Sequence, residues 1–218
     1  MNLVNQEIEE RTREIMLGFK RPSLGPGIID FFDRALQKPL LNYYETVYPE
    51  AGVCAQTSRS RGGDHLVTQA EFCSYLIKDG RRITPSKSAS KAPNSIIQME
   101  FGGEIFVGQV ISIFRHYQPS IGRRIVFLHV CWFHRSRDVN TDIWDEFPEL
   151  EISFWKYNDS LRPEERGPPS IITSDRIKSQ AARATIATRP PRFSDNEEEP
   201  ESRLLWVTIG LSRESIAI

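Results

Sequence analysis

Cysteine is scarce. The 218 residues contain three, Cys54, Cys73 and Cys131, an odd and widely spread set that excludes a disulfide framework and fits a reducing compartment. Long apolar runs are missing: no stretch approaches the roughly 18 residues of a membrane span. The first twenty residues carry Glu7, Glu9, Glu10, Arg11 and Arg13, too many charges for a signal core. A nuclear or cytoplasmic protein with no membrane attachment is the expectation. Charge of one sign is also lacking. With 28 basic and 29 acidic residues the net charge is -1, so any electrostatic partner must be met by a local patch rather than by an overall field. No nucleophile elbow, phosphate loop, dinucleotide glycine pattern or metalloprotease helix motif occurs, and no CxxC or HxxxH pair is there to build a zinc set. The expectation is a non-enzymatic protein with no metal and no cofactor.

What is present is enough chain to bury a core in one or two domains. The opening residues read as a helix carrying Val4, Ile8 and Ile15 near one face and ending at Gly18. After RPSLGPG, the run IIDFFDRALQK spaces Ile28, Phe32, Ala35 and Leu36 as a second helix stopped by Pro39. LLNYYETVY then reads as a short third helix. From Ala51 to Gly63 small and polar residues, including TSRSRGG, suggest a flexible joint.

Past the joint the period changes from helix to strand. FCSYLIKDGRRIT places Asp79-Gly80 between extended segments, the signature of a type I′ hairpin turn. TPSKSASKAPNS is loop by composition. IIQMEF, EIFVGQVISIFRHY, RRIVFLHVCWFHR and ELEISFWKY follow as closely spaced strands, which favours a small antiparallel barrel or sandwich over an alternating β/α sheet. Near the end, Ser174 with Ile177, Ala181 and Ala184 suggests a short capped helix. TRPPRFSDNEEEPE reads as a disordered acidic loop, and LLWVTIG as a returning strand that buries either Leu205, Val207 and Ile209 or Leu204, Trp206 and Thr208.

The stretch FLHVCWFHR tests the chemistry. In a strand Phe127, His129, Cys131 and Phe133 share one face, while Leu128, Val130, Trp132 and His134 share the other. Cys131 and His134 therefore diverge, which argues against a shared metal. For a hydrolase the pairing left open is Cys131 with His65 or His116, brought together by the fold. The acids Asp138, Asp142, Asp145 and Glu146 read as a solvated loop, and GGEIFVG lies between strands where no phosphate cradle forms. Arg115, Arg123, Arg124, Arg135 and Arg137 form one basic group, and Arg176, Lys178, Arg183, Arg189 and Arg192 a second. On a common surface they would contact phosphates. Trp132, Trp144, Phe147, Phe154, Trp155 and Tyr157 crowd the same region. They fill a core beneath loops, or turn outward to stack on a base or enclose a methylated ammonium.

The ordered elements VGQVISIFRH, RRIVFLHVCWFHR, ELEISFWKY and GPPSIITSDRI resemble a bromo-adjacent homology module over about Ile77 to Ile186, with a return at Trp206 to Leu211. The resemblance implies a β-barrel that recognises proteins, chromatin-associated ones among them, without catalysis; Trp132 and Trp155 stand at its aromatic positions. The elements DGRRIT, PNS, WDEFPELEISFW and GPPSII are also similar to fungal proteins related to transposon-derived chains, which implies an origin and not a reaction.

These readings converge on an α+β protein. A helical segment (1–50) and a linker (51–71) precede a small antiparallel barrel of the bromo-adjacent homology or SH3-like kind (72–211), with its acidic loop at 188–202. The expected function is protein or peptide recognition, with Trp144, Trp155 and Tyr157 presented beside Arg135 and Arg137. Nucleic-acid binding is the first alternative and an uncharacterised hydrolase the second.

Overall fold

The computed structural model describes residues 23–56, 63–88, 93–136, 151–162, 165–188 and 203–211. Strands dominate. In chain order they are β1 (Ser23–Leu24), β2 (Gly27–Phe31), helix α1 (Arg34–Val47), β3 (Val53–Cys54), β4 (Asp64–His65), β5 (Gln69–Cys73), β6 (Leu76–Lys78) and β7 (Arg81–Ile83). Next come β8 (Ile96–Phe101), β9 (Glu104–Gln118), β10 (Arg123–Arg135), β11 (Ser153–Ser160), β12 (Ile171–Thr173), β13 (Ser179–Thr188) and β14 (Arg203–Gly210).

Six of these strands close an antiparallel barrel in the circular order β8, β9, β10, β11, β14, β13. Its interior takes one large or close-packed residue from each strand: Ile96, Val107, Phe133, Trp155, Trp206 and Ala181. Closure leaves these six strands without a free edge along the paired stretches, and that is how a small sheet avoids edge-to-edge association. Outside the barrel a second core gathers Cys73, Leu76, Ile83, Ile97, Met99, Leu128, Val130 and Trp132 under the β6–β7 hairpin and β12. The hairpin turns at Asp79 and Gly80, with φ of 50° and 73°, the two positive angles that a type I′ turn requires.

β9 and β10 outrun the barrel. The first half of β9 pairs with β8 and its second half with β5, while β10 is covered by β12 at Phe127–His129 and by β11 only from Phe133 on. Helix α1 lies over this extended hairpin. Leu36, Leu40 and Tyr44 repeat every four residues on its buried face and join Phe32, Val53, Leu66, Ala70, Phe114, Phe127 and Ile171 in a third core. Burying each such side chain contributes about 1.5–3 kcal/mol.

Several expectations are corrected. The two helices expected on either side of Pro39 are one, with Pro39 in its second turn. Proline there removes the donor that would meet the Ala35 carbonyl, and the burial of Leu36, Leu40 and Tyr44 offsets that loss. Asp33 starts the helix, its carboxylate accepting from Ala35 N at 3.3 Å. Ile28 and its neighbours form β2 instead of a helix, because all five residues pair with β5. The helix expected from Ser174 is a three-residue 3-10 turn, Ser174–Arg176, followed by β13. Eight consecutive pairings with β14 override the helical preference of its alanines. Within the stretch expected to be a linker (51–71), Val53, Leu66 and Ala70 join the core shared with α1. The opening helix and the acidic stretch from 189 to 202 lie outside the described residues.

Candidate functional site

Along β10 the two-residue alternation holds. Phe133 points into the barrel, Phe127 toward α1, and Leu128, Val130 and Trp132 into the outer core. His129 and Cys131 therefore stand on one face between the barrel core and the helix core, and that is where the molecule opens. A groove of about 1020 Å³ runs between α1 and residues 161–162 and 165–173, large enough for a peptide segment or a sizeable ligand. Seven residues of α1 line it, and four of them, Ala35, Pro39, Asn42 and Thr46, recur at helical spacing. These four sit about a third of a turn from the buried stripe of Leu36, Leu40 and Tyr44, so the helix seals the core with one face and presents the other to the groove.

The opposite wall is tied to the edge of β10. Val130 N donates to Ser170 O at 2.8 Å, Trp132 Nε1 to Pro169 O at 2.9 Å and Leu161 N to Trp132 O at 2.8 Å. Pro168 and Pro169 stiffen this wall by fixing φ. Met99, Val130, Ile172 and Leu161 make the lining apolar, and among the described residues Lys38, Arg162 and Arg176 add three cations against one carboxylate, Glu165. Glu165 Oε2 accepts from Arg162 N at 2.6 Å, which holds the turn of this wall. His129 Nδ1 is buried and has no hydrogen-bond partner among the described residues. Burial first, and Lys87 second, lower the tendency of this imidazole to take a proton, against an opposing pull from Asp33. The groove thus offers an apolar lining, a neutral imidazole and a cationic border.

Of the residues expected to form the recognition surface, the described ones do not make a shared exposed face. Trp155 is 1% exposed, its indole inside the barrel and its Nε1 donating to Thr208 Oγ1 at 2.8 Å. Strand alternation sends Phe154 outward and Trp155 in, so a partner-facing Trp155 is corrected to a core residue. Tyr157 is 41% exposed and meets the ring of Trp206 edge-on at 5.5 Å. The same Trp206 carries Arg183 at 4.3 Å, so the aromatic face there is already stacked by a guanidinium of the chain itself. Arg135 pairs with Trp155 in the β10–β11 ladder and lines a smaller cavity of about 310 Å³ with Glu104 and Glu151. Trp144 and Arg137 lie outside the described residues.

The described basic residues are dispersed as well. Arg123 stacks on Tyr48, Arg115 pairs with Glu71, and Lys178 with Glu151 at 3.0 Å. Arg123 and Arg135 occupy opposite ends of β10, about 40 Å apart along an extended strand. No group of three or more His, Cys, Asp or Glu among the described residues is arranged to hold a metal ion. His134 turns to the surface, its Nδ1 3.2 Å from Asp159 Oδ2, on the face opposite Cys131.

Neither histidine named as a base for Cys131 serves it. His116 is fully buried behind α1, where its Nε2–H donates to Val67 O at 2.9 Å and its Nδ1 accepts from Tyr44 O–H at 2.7 Å. Burial pushes this imidazole down to about 4 despite the Val67 carbonyl, which keeps it neutral and structural. His65 instead faces Cys54, with Nδ1 at 3.4 Å from Sγ. Lys38, Arg162, Arg176 and His129 were not singled out in the sequence as a set; only the helical spacing of residues 35, 39, 42 and 46 hinted at a second face of α1. Set against known proteins, the chain matches no family model, no curated protein and no solved structure.

Proposed function

We propose that the chain is a non-enzymatic recognition module that captures a peptide or protein segment in the groove between α1 and the proline-stiffened wall. The observation that carries this reading is the combination, in one cleft of about 1020 Å³, of an apolar lining with Lys38, Arg162 and Arg176. Such a cleft selects a segment whose apolar side chains enter the groove while carboxylates reach the border, since charge complementarity supplies specificity and apolar burial supplies affinity. The resemblance to bromo-adjacent homology modules supports a chromatin-associated partner and a nuclear or cytoplasmic setting. The dispersal of the described arginines favours this reading over nucleic-acid binding, because a phosphate track needs its cations in register.

Twelve-residue peptides selected by display on the immobilised full chain provide the test. Acidic residues flanking Leu, Ile or Phe should be enriched, and the double variant Arg162→Glu/Arg176→Glu, whose changes are at the surface, should bind the selected peptides at least about tenfold more weakly. Equal binding by that variant, or capture of a DNA duplex with an affinity that collapses as salt rises, would overturn the proposal.

A further inference from the structure

We infer that Cys54 and His65 form a reactive thiol site that exchanges with low-molecular-weight disulfides, separate from the groove. β3 and β4 pair in parallel, with Val53 opposite Asp64 and Cys54 opposite His65. This sets the thiol and the imidazole side by side, Sγ 3.4 Å from Nδ1, a nucleophile within reach of a base.

The pair is held from below. Gln118, fully buried, donates from Nε2 to Asp64 Oδ2 at 3.0 Å and to His65 O at 3.1 Å, while its Oε1 accepts from Val67 N at 3.1 Å. One side-chain amide thereby fixes three backbone or carboxylate groups of residues 64–67. Asp64 Oδ2 is held again by Ser120 N at 3.0 Å, and Leu66 N donates to Cys54 O at 2.9 Å. Gly63 closes the packing. A Cβ there would stand 2.8 Å from Gly52 O and 3.0 Å from Cys54 Sγ, so only glycine lets the chain pass this close to the sulfur. The result is a dyad on a rigid base with His65 exposed and Cys54 half-buried. That combination of access and an adjacent base is what separates reactive cysteines from inert ones.

The other two thiols lack it. Cys73 is 3% exposed, its Sγ donates to Glu71 O at 3.6 Å, and burial pushes its thiol up. Cys131, opposite Gln109 in the middle of β10, is half-buried like Cys54 but has no imidazole within hydrogen-bond distance among the described residues. In the exchange His65 Nδ1 takes the Cys54 proton as Sγ attacks one sulfur of the disulfide. A new S–S bond forms to Cys54, the original S–S bond breaks, and the departing thiolate takes up the proton. Cys54 is oxidised to a mixed disulfide and the small disulfide is reduced to one thiol.

The experiment incubates the folded full chain with oxidised glutathione at neutral pH and maps the adducts by peptide mass against time. Cys54 should be modified at least about tenfold faster than Cys73 or Cys131. His65→Gln should lower the Cys54 rate about tenfold, and added imidazole should restore part of it, which a merely structural histidine would not show. In denaturant the advantage of Cys54 over the other two should vanish. Equal rates at Cys54 and Cys131 in the folded chain, an unchanged Cys54 rate in His65→Gln, or an advantage that persists in denaturant would each overturn the inference. Failure of groove binding would leave it standing, since neither Cys54 nor His65 lines the groove.

Discussion

Acid should loosen this protein through one imidazole. His116 holds Tyr44 of α1 to Val67 of the strand layer, with both ring nitrogens committed and no room for a second proton. Its folded value is pushed from 6.5 to about 4. The unfolded chain therefore binds a proton that the folded chain refuses between those limits. Stability from this group is complete above pH 6.5 and is lost as pH falls toward 4. The gap sets a ceiling of about 3 kcal/mol, and about 2 kcal/mol should be gone at pH 5.0 relative to pH 7.5. His129, also lowered by burial, acts in the same direction, so the wild-type slope alone does not isolate His116. Urea unfolding of wild type and His116→Gln at both pH values does. The variant should be less stable at pH 7.5 by about 1–3 kcal/mol, from the broken network, and should lose about 2 kcal/mol less than wild type on going to pH 5.0. Parallel stability–pH curves, agreeing within about 0.5 kcal/mol, would refute the neutral, doubly bonded imidazole.

Two core substitutions probe the barrel. Trp155→Ala removes one of the two tryptophans of the barrel interior and the donor to Thr208, and should cost about 3–5 kcal/mol in denaturant titration; an unchanged midpoint would return Trp155 to the surface. Gly108→Ala places a Cβ 2.7 Å from Val130 Cγ1 and Trp132 Cε3 and 2.8 Å from Cys131 O, and a carbonyl of the facing strand yields little. A loss of about 1–3 kcal/mol is expected, and a thermal midpoint equal to wild type would show that β9 and β10 separate more easily than their ladder implies.

The strands were legible because their signals are local. IIQMEF, EIFVGQVISIFRHY, RRIVFLHVCWFHR and LLWVTIG each became a strand, and Asp79-Gly80 a hairpin turn. What failed was decided by distant partners. SQAARATIAT carries helix-favouring alanines, but β14 pairs with it over eight residues. GIIDF looks helical beside FFDRALQK until β5 claims it. The face of Trp155 could not be read either, because Phe154-Trp155 alternates correctly in both senses and only the closure of the barrel selects one. The groove was illegible for the same reason: Asn42, His129 and Arg176 belong to three segments that only tertiary packing brings together.

A single extra residue decides where that groove opens. The β9–β10 register runs unbroken from Arg123↔Gln118 to His129↔Ser112, then resumes at Val130↔Val110, so Ile111 is left over as a bulge. Were Ile111 paired in regular register instead, strict alternation would put Val110 on the same face as Ser112, Phe114 and His116. With the bulge, Val110 faces the outer core beside Val130, while Phe114 and His116 face α1. The bulge also bends the strand, and Ile111 itself lines the cleft beside His129 and Cys131. The long hairpin can therefore serve the closed barrel at one end and seat the helix at the other, with a gap between the two cores where neither packs fully. Deleting Ile111 would restore an unbroken ladder with Val110 still opposite Val130 and the Phe114–His116 pair still toward α1, and it would remove both the bend and a side chain that lines the cleft, so the same local irregularity that costs the sheet its regularity is what supplies the protein with a cleft.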